Sequence, residues 1–202
     1  MSRHPVMVRQ VCPLLPQEPQ ESPNLLLSAE FVWREGGVLE LSYNLRPSQR
    51  DSDLLALALP CLEPTSGPAT GSVTGSLQGD RRDELWKHSC FEAFIGLPDS
   101  QQYWELNVSP LGHWNLYSFE RYRQSGSGLV EALPPAVTVR QTRRDFRCDV
   151  VLDLRPWWPI EGMPELGLTM VLEETNGRLS YWALSHPGEA ADFHDRRSFL
   201  TC

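Results

Sequence analysis

The sequence predicts an all-β protein, an antiparallel β-sandwich of about ten strands with little helix. Two observations favour this class over a helical one. Short segments rich in apolar, aromatic and β-branched residues recur along the chain and are separated by turn signals. The 17 prolines lie mostly between these segments, and no stretch of about 12 residues has the periodicity of an amphipathic helix.

The strand-like segments follow one another with short connections. We expect strands at 6–12, 26–34, 38–46 and 54–59, three more within 85–123, and then strands at 136–142, 146–154, 166–174 and 178–185. Pro13 and Pro16 are expected to end the first strand. The dipeptides Gly36-Gly37 and Asn176-Gly177 each lie between two such segments and predict hairpin turns, because glycine tolerates positive φ. The tail from residue 192 is polar and is expected to hold one helical turn.

The length of 202 residues predicts one domain, covering 1–202. A tract of Gly, Ser, Thr and Pro precedes the central part of the chain. Such a composition buries too little apolar surface to order itself, so we expect a flexible loop at about 63–82. The β pattern continues after the tract, which is why it is interpreted as a loop within the domain and not as a boundary between two domains.

Charge and composition argue against several classes of function. A net charge of −8 disfavours nucleic acid and anionic membrane surfaces as partners. The chain has no apolar run of about 18 residues, and its start has no uninterrupted apolar segment, so neither a membrane span nor a signal peptide is predicted. The five cysteines are scattered without a Cys-x-x-Cys pair. These features together predict reduced thiols, a cytoplasmic location and no metal site.

The stretch 85–123 contains three strand-like segments separated by short connections at 98–101 and 110–112. Side chains on a strand alternate between faces, so the pairing register follows from keeping one face apolar. Pairing Leu97 with Gln102 places the apolar rows of the first two segments on one side. A shift by one residue would set the Glu92 carboxylate among leucine and tryptophan side chains, which is energetically costly.

The opposite face of this three-stranded unit combines aromatic, carboxylate and amide groups. Its predicted members are Glu92, Phe94, Tyr103, Glu105, Asn107, Asn115, Tyr117 and Phe119. Flat rings can stack on the apolar faces of sugar rings, and carboxylates and amides can hydrogen-bond to hydroxyl groups, so this face indicates a recognition surface. Two other interpretations stay open: a solvent-facing outer sheet, or a face covered by another segment of the chain.

Several short motifs carry a resemblance to a known superfamily. They are Trp86 six residues before Glu92, the run Cys-Phe-Glu-Ala-Phe-Ile at 90–95, the pattern Tyr-x-Glu-x-Asn-x-x-Pro-x-Gly at 103–112, and the C-terminal runs 179–187 and 192–194. From about residue 26 to its end, the chain resembles the DOMON-like superfamily, in particular stand-alone bacterial proteins related to family 9 carbohydrate-binding modules. The resemblance implies a jelly-roll or immunoglobulin-like β-sandwich that binds a sugar or, in other branches, haem.

In family 9 modules two tryptophans clamp a sugar ring while a glutamate and an asparagine contact its hydroxyl groups. By position, the resemblance implies that Trp86 and Trp182 form the clamp and that Glu92 and Asn107 make the polar contacts. Glu105 stands where the family has an arginine, which is a departure from its pattern. The complete set of predicted ligand-binding residues is Trp86, Glu92, Glu105, Asn107, Asn115, Tyr117 and Trp182.

The function predicted from these residues is non-catalytic binding of a small saccharide or polyol, with no cofactor. Nucleic acid and membrane are not expected as partners, and protein partners are left open. One alternative is a haem- or redox-cofactor-binding domain with His88, His113 or His186 as axial ligand. A second alternative is a small glycoside hydrolase that uses Glu92 and Glu105, whose diagonal cross-strand spacing of roughly 7–8 Å between backbones suits either stereochemical course.

Overall fold

The computed structural model describes residues 4–49, 54, 56–60, 73–126, 130–159 and 162–200. Within these ranges it contains twelve β-strands and two short 3₁₀ turns, at Leu85–Lys87 and Arg196–Ser198. The strands are β1 (Val6–Pro16), β2 (Leu25–Arg34), β3 (Val38–Pro47), β4 (Val73–Leu77), β5 (Cys90–Gly96), β6 (Tyr103–Val108), β7 (Trp114–Arg121), β8 (Gln124–Ser125), β9 (Ala136–Gln141), β10 (Phe146–Asp153), β11 (Glu165–Glu173) and β12 (Leu179–Ala183). The all-β prediction with little helix is confirmed.

All strand pairings within the sheet are antiparallel, and they link the twelve strands into one continuous curled sheet. The order is β4-β9-β10-β3-β2-β1-β12-β11-β5-β6-β7-β8. Strand β1 joins the two halves, because residues 6–14 pair with β2 and residues 15 and 16 pair with β12. The number of strands is therefore twelve and not about ten, and the predicted sandwich is not confirmed, because the two halves of the sheet remain hydrogen-bonded to each other.

The hydrophobic core lies between the two halves of this sheet. Alternating residues of β2, β3 and β10 point into it from one half, and those of β5, β6 and β11 from the other. The rings of Tyr43 and Phe91 stack across the core at 5.3 Å between centroids, and Phe91 also stacks on Phe146 at 5.8 Å. The Tyr43 hydroxyl donates to the backbone carbonyl of Glu92. The apolar row of β5 is thereby fixed inward, so the row carrying Glu92 faces outward.

Two predictions about individual segments need correction. Strand β1 does not end at Pro13 but continues to Pro16. For most of its length β1 has a neighbour on one side only, and a proline nitrogen on the free side costs no ladder hydrogen bond. The predicted strand at 54–59 is a turn at its described residues, with an isolated bridge between Leu57 and Glu174.

The predicted loop at about 63–82 falls partly outside the described residues, which resume at residue 73. Its described part includes strand β4, which pairs with β9 over five residues. The hairpin predictions are confirmed at both places: Gly36 and Gly37 have positive φ between β2 and β3, and Gly177 has positive φ between β11 and β12. The expected helical turn in the tail is the 3₁₀ turn Arg196–Ser198.

Candidate functional site

The register predicted for the central strands is confirmed by the sheet. The backbone N–H of Leu97 donates to the carbonyl of Gln102, and Glu92 lies opposite Asn107 while Phe94 lies opposite Glu105. The next pair continues the pattern, since Glu105 lies opposite Tyr117. The polar and aromatic side chains of β5, β6 and β7 therefore share the outer face of the sheet, as the alternation of the sequence predicts.

This outer face is partly covered by the C-terminal segment, residues 185–200. Phe199 packs on Phe94 and Tyr103, and together with Phe119 these rings form a second, smaller hydrophobic cluster. The close approach requires Gly167 on β11, where an added Cβ would lie 2.7 Å from the Phe199 ring. The segment is also held by Arg196, which donates to the carbonyl of Leu97 and to the carboxylate of Glu165. Part of the outer face is thus covered by another segment of the chain, which is one of the alternatives left open by the sequence, and the rest of the face is uncovered.

The uncovered part of the face forms a cavity of about 490 Å³, which lies in the range of small-molecule sites. We refer to it as the aromatic–carboxylate cavity. Six aromatic side chains line it: Trp86, Phe94, Tyr117, Phe119, Tyr181 and Phe193. Its charged or titratable lining groups are Glu92, Glu105, Arg123 and His194. The cavity therefore presents ring faces around two carboxyl groups.

Glu92 is 2% exposed although its carboxyl group reaches the cavity. One of its oxygens, Oε2, accepts a hydrogen bond from the Thr169 hydroxyl at 3.0 Å. Burial, and secondarily the charge of Glu105, raises the pKa of Glu92 to about 8, with the Thr169 hydrogen bond acting in the opposite direction. A pKa in this range favours the protonated form of Glu92 at neutral pH.

Glu105 is held by two neighbours. Its Oε1 accepts a hydrogen bond of 2.8 Å from the Asn107 amide, and its Oε2 lies 3.8 Å from Nε2 of His194, beyond hydrogen-bonding distance. Burial raises the pKa of Glu105, while the Asn107 hydrogen bond and the charge of Arg123 lower it. Asn107 is fully buried, does not line the cavity, and leaves its Oδ1 without a hydrogen-bond partner. Asn107 therefore supports Glu105 from beneath and does not line the cavity, so the structure gives no support to its predicted direct contact with a ligand.

His194 closes the cavity from the side of the C-terminal segment, and sequence reasoning missed it. Its Nδ1 lies 2.8 Å from the Tyr103 hydroxyl, whose oxygen accepts from the backbone N–H of Arg123. Tyr103 and His194 therefore share a hydrogen bond through Nδ1, and Nε2 of His194 lies on the side of Glu105. Burial, together with the charge of Arg123, lowers the pKa of His194 to about 4, so the imidazole is neutral at pH 7.

Trp86 reaches the cavity from the 3₁₀ turn that precedes β5 and is 39% exposed. Its ring meets Tyr117 edge-on at 5.6 Å. The turn is tied to β7 through Asp83, which accepts hydrogen bonds from the Tyr117 hydroxyl at 2.9 Å and from the Asn115 amide at 2.8 Å. Asn115 accepts at the same time from Arg81 and from a backbone N–H. Its polar atoms are fully used by the protein, so Asn115 positions Trp86 and Tyr117 and does not offer a free group to a ligand.

Trp182 does not lie where the resemblance implies. It is 2% exposed, belongs to the core between the two sheet halves, and donates its indole N–H to the Ser180 hydroxyl. Pairing with β11 sets Tyr181, not Trp182, on the face of the cavity. There Tyr181 is 38% exposed, and its ring centroid lies 6.1 Å from that of Phe193. The predicted clamp of Trp86 with Trp182 is therefore wrong.

The three histidines proposed as haem ligands lie outside the aromatic–carboxylate cavity. His88 is exposed and contacts Glu173 at 2.8 Å, His113 accepts from the backbone N–H of Asp80, and His186 lies 2.8 Å from the carbonyl of Leu15. His194 does line the cavity, but its Nδ1 is engaged and its Nε2 faces a carboxyl group. The residues present do not fit haem at this site. Across the described ranges, no group of three or more His, Cys, Asp or Glu side chains is arranged to hold a metal ion.

The missed residues left a weak signal in the sequence. Tyr181 and Trp182 alternate in a strand that is apolar on both faces, so periodicity could not choose between them. Phe193 and Phe199 are large aromatics in an otherwise polar tail, and such residues point to a segment that packs back on the protein.

Three described cysteines, Cys12, Cys90 and Cys148, are buried free thiols. Over the described part of the chain, no helix is long and apolar enough to cross a membrane.

The fold and the cavity define an all-β protein with a small-molecule-sized aromatic–carboxylate site. Comparison with solved structures finds a protein from Bacteroides uniformis ATCC 8492 named a "putative carbohydrate-binding protein", with a TM-score of 0.50 and 12% sequence identity, covering 94% of this chain and 84% of its own. At this identity the likeness shows a similar fold alone. No family model matches the chain, and no curated protein matches it.

Proposed function

We propose that the protein binds a small saccharide or polyol in the aromatic–carboxylate cavity, as a non-catalytic module of DOMON-like type. The observation that carries the proposal is the combination of ring faces with two buried carboxyl groups in one cavity of about 490 Å³. The exposed faces of Trp86 and Tyr181 offer contact to the apolar side of a sugar ring. Glu92 and Glu105 each direct a carboxyl group at the cavity and can hydrogen-bond to hydroxyl groups.

Two further points support this proposal. The fold resembles that of a protein named for carbohydrate binding, which is in line with the resemblance read from the sequence motifs. A network of side-chain hydrogen bonds links Asn115, Asp83 and the hydroxyl of Tyr117. Such a network holds the aromatic wall in place before a ligand arrives, which lowers the entropy cost of binding.

Intrinsic tryptophan fluorescence tests the proposal. Trp86 is the most exposed of the seven tryptophans, so stacking of a sugar is expected to change its emission while the buried tryptophans report the intact fold. We expect a saturable change with at least one member of a panel of mono- and disaccharides. Trp86→Phe is expected to retain binding by calorimetry but lose most of the optical signal, whereas Trp86→Ala should weaken binding about tenfold.

A matched control separates the site from the rest of the sheet. Glu30 is a buried carboxylate on β2, in the other half of the sheet, and is paired with Arg9. Glu30→Gln is expected to leave sugar affinity unchanged, while Glu105→Gln is expected to reduce it. A native protein that shows no heat and no fluorescence change with any sugar of the panel would refute the proposal.

Glycoside hydrolysis is a second candidate, favoured by one observation. Glu92 and Glu105 line the same cavity diagonally across β5 and β6, and burial raises the pKa of Glu92 far enough to keep it protonated at neutral pH. A protonated and an ionised carboxyl group are the pair that glycosidic cleavage requires. Incubation with a panel of aryl glycosides tests it: turnover that is lost in both Glu92→Gln and Glu105→Gln supports hydrolysis, and absence of turnover refutes it.

A further inference from the structure

Among the residues that the structure describes, the two carboxyl groups at the base of the aromatic–carboxylate cavity have no cation in direct contact. Glu92 has neutral partners, the Thr169 hydroxyl and the Cys90 thiol, and no lysine, arginine or histidine of the described residues pairs with it. Glu105 is bonded by a neutral amide and approached by a neutral imidazole. A buried carboxylate is stable when a cation accompanies it, and here the protein supplies none in direct contact.

The cation that the cavity does contain is already engaged. Arg123 lines the cavity but pairs with Asp192 at 2.9 Å, and its Nε donates to the Tyr122 hydroxyl. Asp192 also accepts from the Tyr122 hydroxyl and from the backbone N–H of His194. Arg123 is therefore committed to fastening the C-terminal segment, and its charge reaches Glu105 only at longer range.

The walls of the cavity favour a cation as well. Ring faces carry negative potential and attract ammonium groups placed within about 6 Å of the ring centroid. Trp86 and Tyr181 are partly exposed on the rim, and Tyr117 and Phe193 extend the aromatic wall between them and the base. A neutral sugar gains stacking from these walls, whereas a cationic one gains stacking, attraction to the ring faces and neutralisation of the carboxyl groups.

These observations lead to a ligand class that rests on the proposed function and sharpens it. We propose that the ligand carries an ammonium group, as in an amino sugar, with its ring against Trp86 and Tyr181 and its ammonium between Glu92 and Glu105. An ammonium donates three hydrogen bonds where a hydroxyl donates one. It also supplies the positive charge that the base of the cavity lacks.

The titration of the site gives the proposal a second readout. The groups facing Glu92 are Cys90 on its own strand, Thr169 on β11 and Glu105 on β6, with His194 beyond Glu105. None of them is a cation at neutral pH, so an arriving ammonium is the group that stabilises the ionised form of Glu92. Binding of an ammonium is therefore expected to displace the Glu92 proton into solvent, and binding of a neutral sugar is not.

The experiment compares matched pairs of ligands by isothermal titration calorimetry: glucosamine with glucose, galactosamine with galactose, and mannosamine with mannose. At about pH 6, where the amines are charged, at least one amino sugar should bind tenfold or more tightly than its neutral partner. Repeating the titration in buffers of different ionisation enthalpy should show release of roughly one proton per amino sugar bound. Glu92→Gln should bring the ratio of affinities close to one, and Glu30→Gln should preserve it.

The outcomes distinguish this inference from the proposed function. If a neutral sugar binds as tightly as its amino counterpart, or binding of the amino sugar releases no proton, the ammonium proposal is overturned while saccharide binding stands. If no member of any pair binds but another sugar of the panel does, the ammonium proposal fails and saccharide binding stands, whereas if no sugar of the panel binds, both fail. Proton release is measured on the native protein, so the test does not depend on whether Glu92→Gln folds.

Discussion

Replacing Glu92 by glutamine should make the protein more stable at neutral pH than the native sequence. The folded-state pKa of Glu92 is raised, to about 8, mainly by burial, whereas in the unfolded chain a glutamate titrates near 4.3. Because the folded state holds the proton more tightly, Glu92 favours folding most at low pH. This contribution is lost as the pH rises through the folded pKa. Glutamine stays neutral at every pH and keeps an oxygen that can accept from the Thr169 hydroxyl. The stability of the variant therefore does not fall with rising pH on account of residue 92.

The magnitude follows from the two pKa values. Proton linkage changes the free energy of unfolding by about 1.4 kcal/mol per pH unit where one state is protonated and the other is not. Between pH 5 and pH 7 the native protein should therefore lose about 2–3 kcal/mol relative to Glu92→Gln. For a chain of this size that difference corresponds to roughly 5–10 °C in Tm.

The native protein has to be compared with Glu92→Gln because a second buried group, His194, changes the stability with pH in the opposite direction. The pKa of His194 is lowered to about 4 by burial, so its contribution to stability increases as the pH rises towards the unfolded value. Both proteins contain His194, and its contribution cancels in their difference. Urea unfolding followed by tryptophan fluorescence at pH 5, 6 and 7 gives that difference directly.

Glu30→Gln serves as the control. It removes a buried carboxylate of the other sheet half that is paired with Arg9, and it leaves Glu92 and its surroundings unchanged. This variant should therefore show the pH slope of the native protein. Parallel profiles for the native protein and Glu92→Gln between pH 5 and pH 7 would refute the reasoning, because the carboxyl group would then be ionised in the folded state without cost.

Two further substitutions test how the C-terminal segment is held over the sheet. Tyr103→Phe leaves Nδ1 of His194 buried without its hydroxyl partner, and urea unfolding should show a loss of about 1–3 kcal/mol. Gly167→Ala places a Cβ 2.7 Å from the ring of Phe199. It should lower Tm and speed proteolysis of the C-terminal segment, while Gly75→Ala, which meets no atom within 4 Å, should do neither. If Gly167→Ala left the rate of proteolysis unchanged, the packing of Phe199 would not depend on this close approach.

The register of the central strands could be predicted from the sequence because a shift by one residue would bury the Glu92 carboxylate among apolar side chains, at a large cost in free energy. In β5 to β7 the apolar and polar rows differ clearly, so one pairing keeps the row of Phe91 in the core and the row of Glu92 outside it. Strand β12 lacks this contrast, since Tyr181 and Trp182 are both large aromatics and neither face is polar throughout. Its orientation is set by hydrogen bonding to β11, in which Met170 lies opposite Trp182 and Val171 lies opposite Tyr181. Local alternation within β12 does not reveal this pairing.

The covering of the outer face could not be predicted for a related reason. Residues 185–200 have neither helical nor strand periodicity, and their place depends on single contacts with distant residues, such as Phe199 over Gly167 and Arg196 at the carbonyl of Leu97. A sequence pattern indicates which side of a strand is polar, but it does not indicate which irregular segment will cross that side.

The segment that was missed is also what gives the site its chemistry. An open sheet face would leave Glu92 and Glu105 in water, where carboxylates are ionised at neutral pH and bind neutral and charged sugars by surface hydrogen bonds alone. By covering part of the face, Phe193, His194 and Phe199 remove water from around these groups and turn a polar surface into a confined cavity. Burial then raises the pKa of both carboxyl groups. From this burial follows the proposal that a ligand with a positive charge binds more tightly than one with another hydroxyl group, and the paired titrations test it.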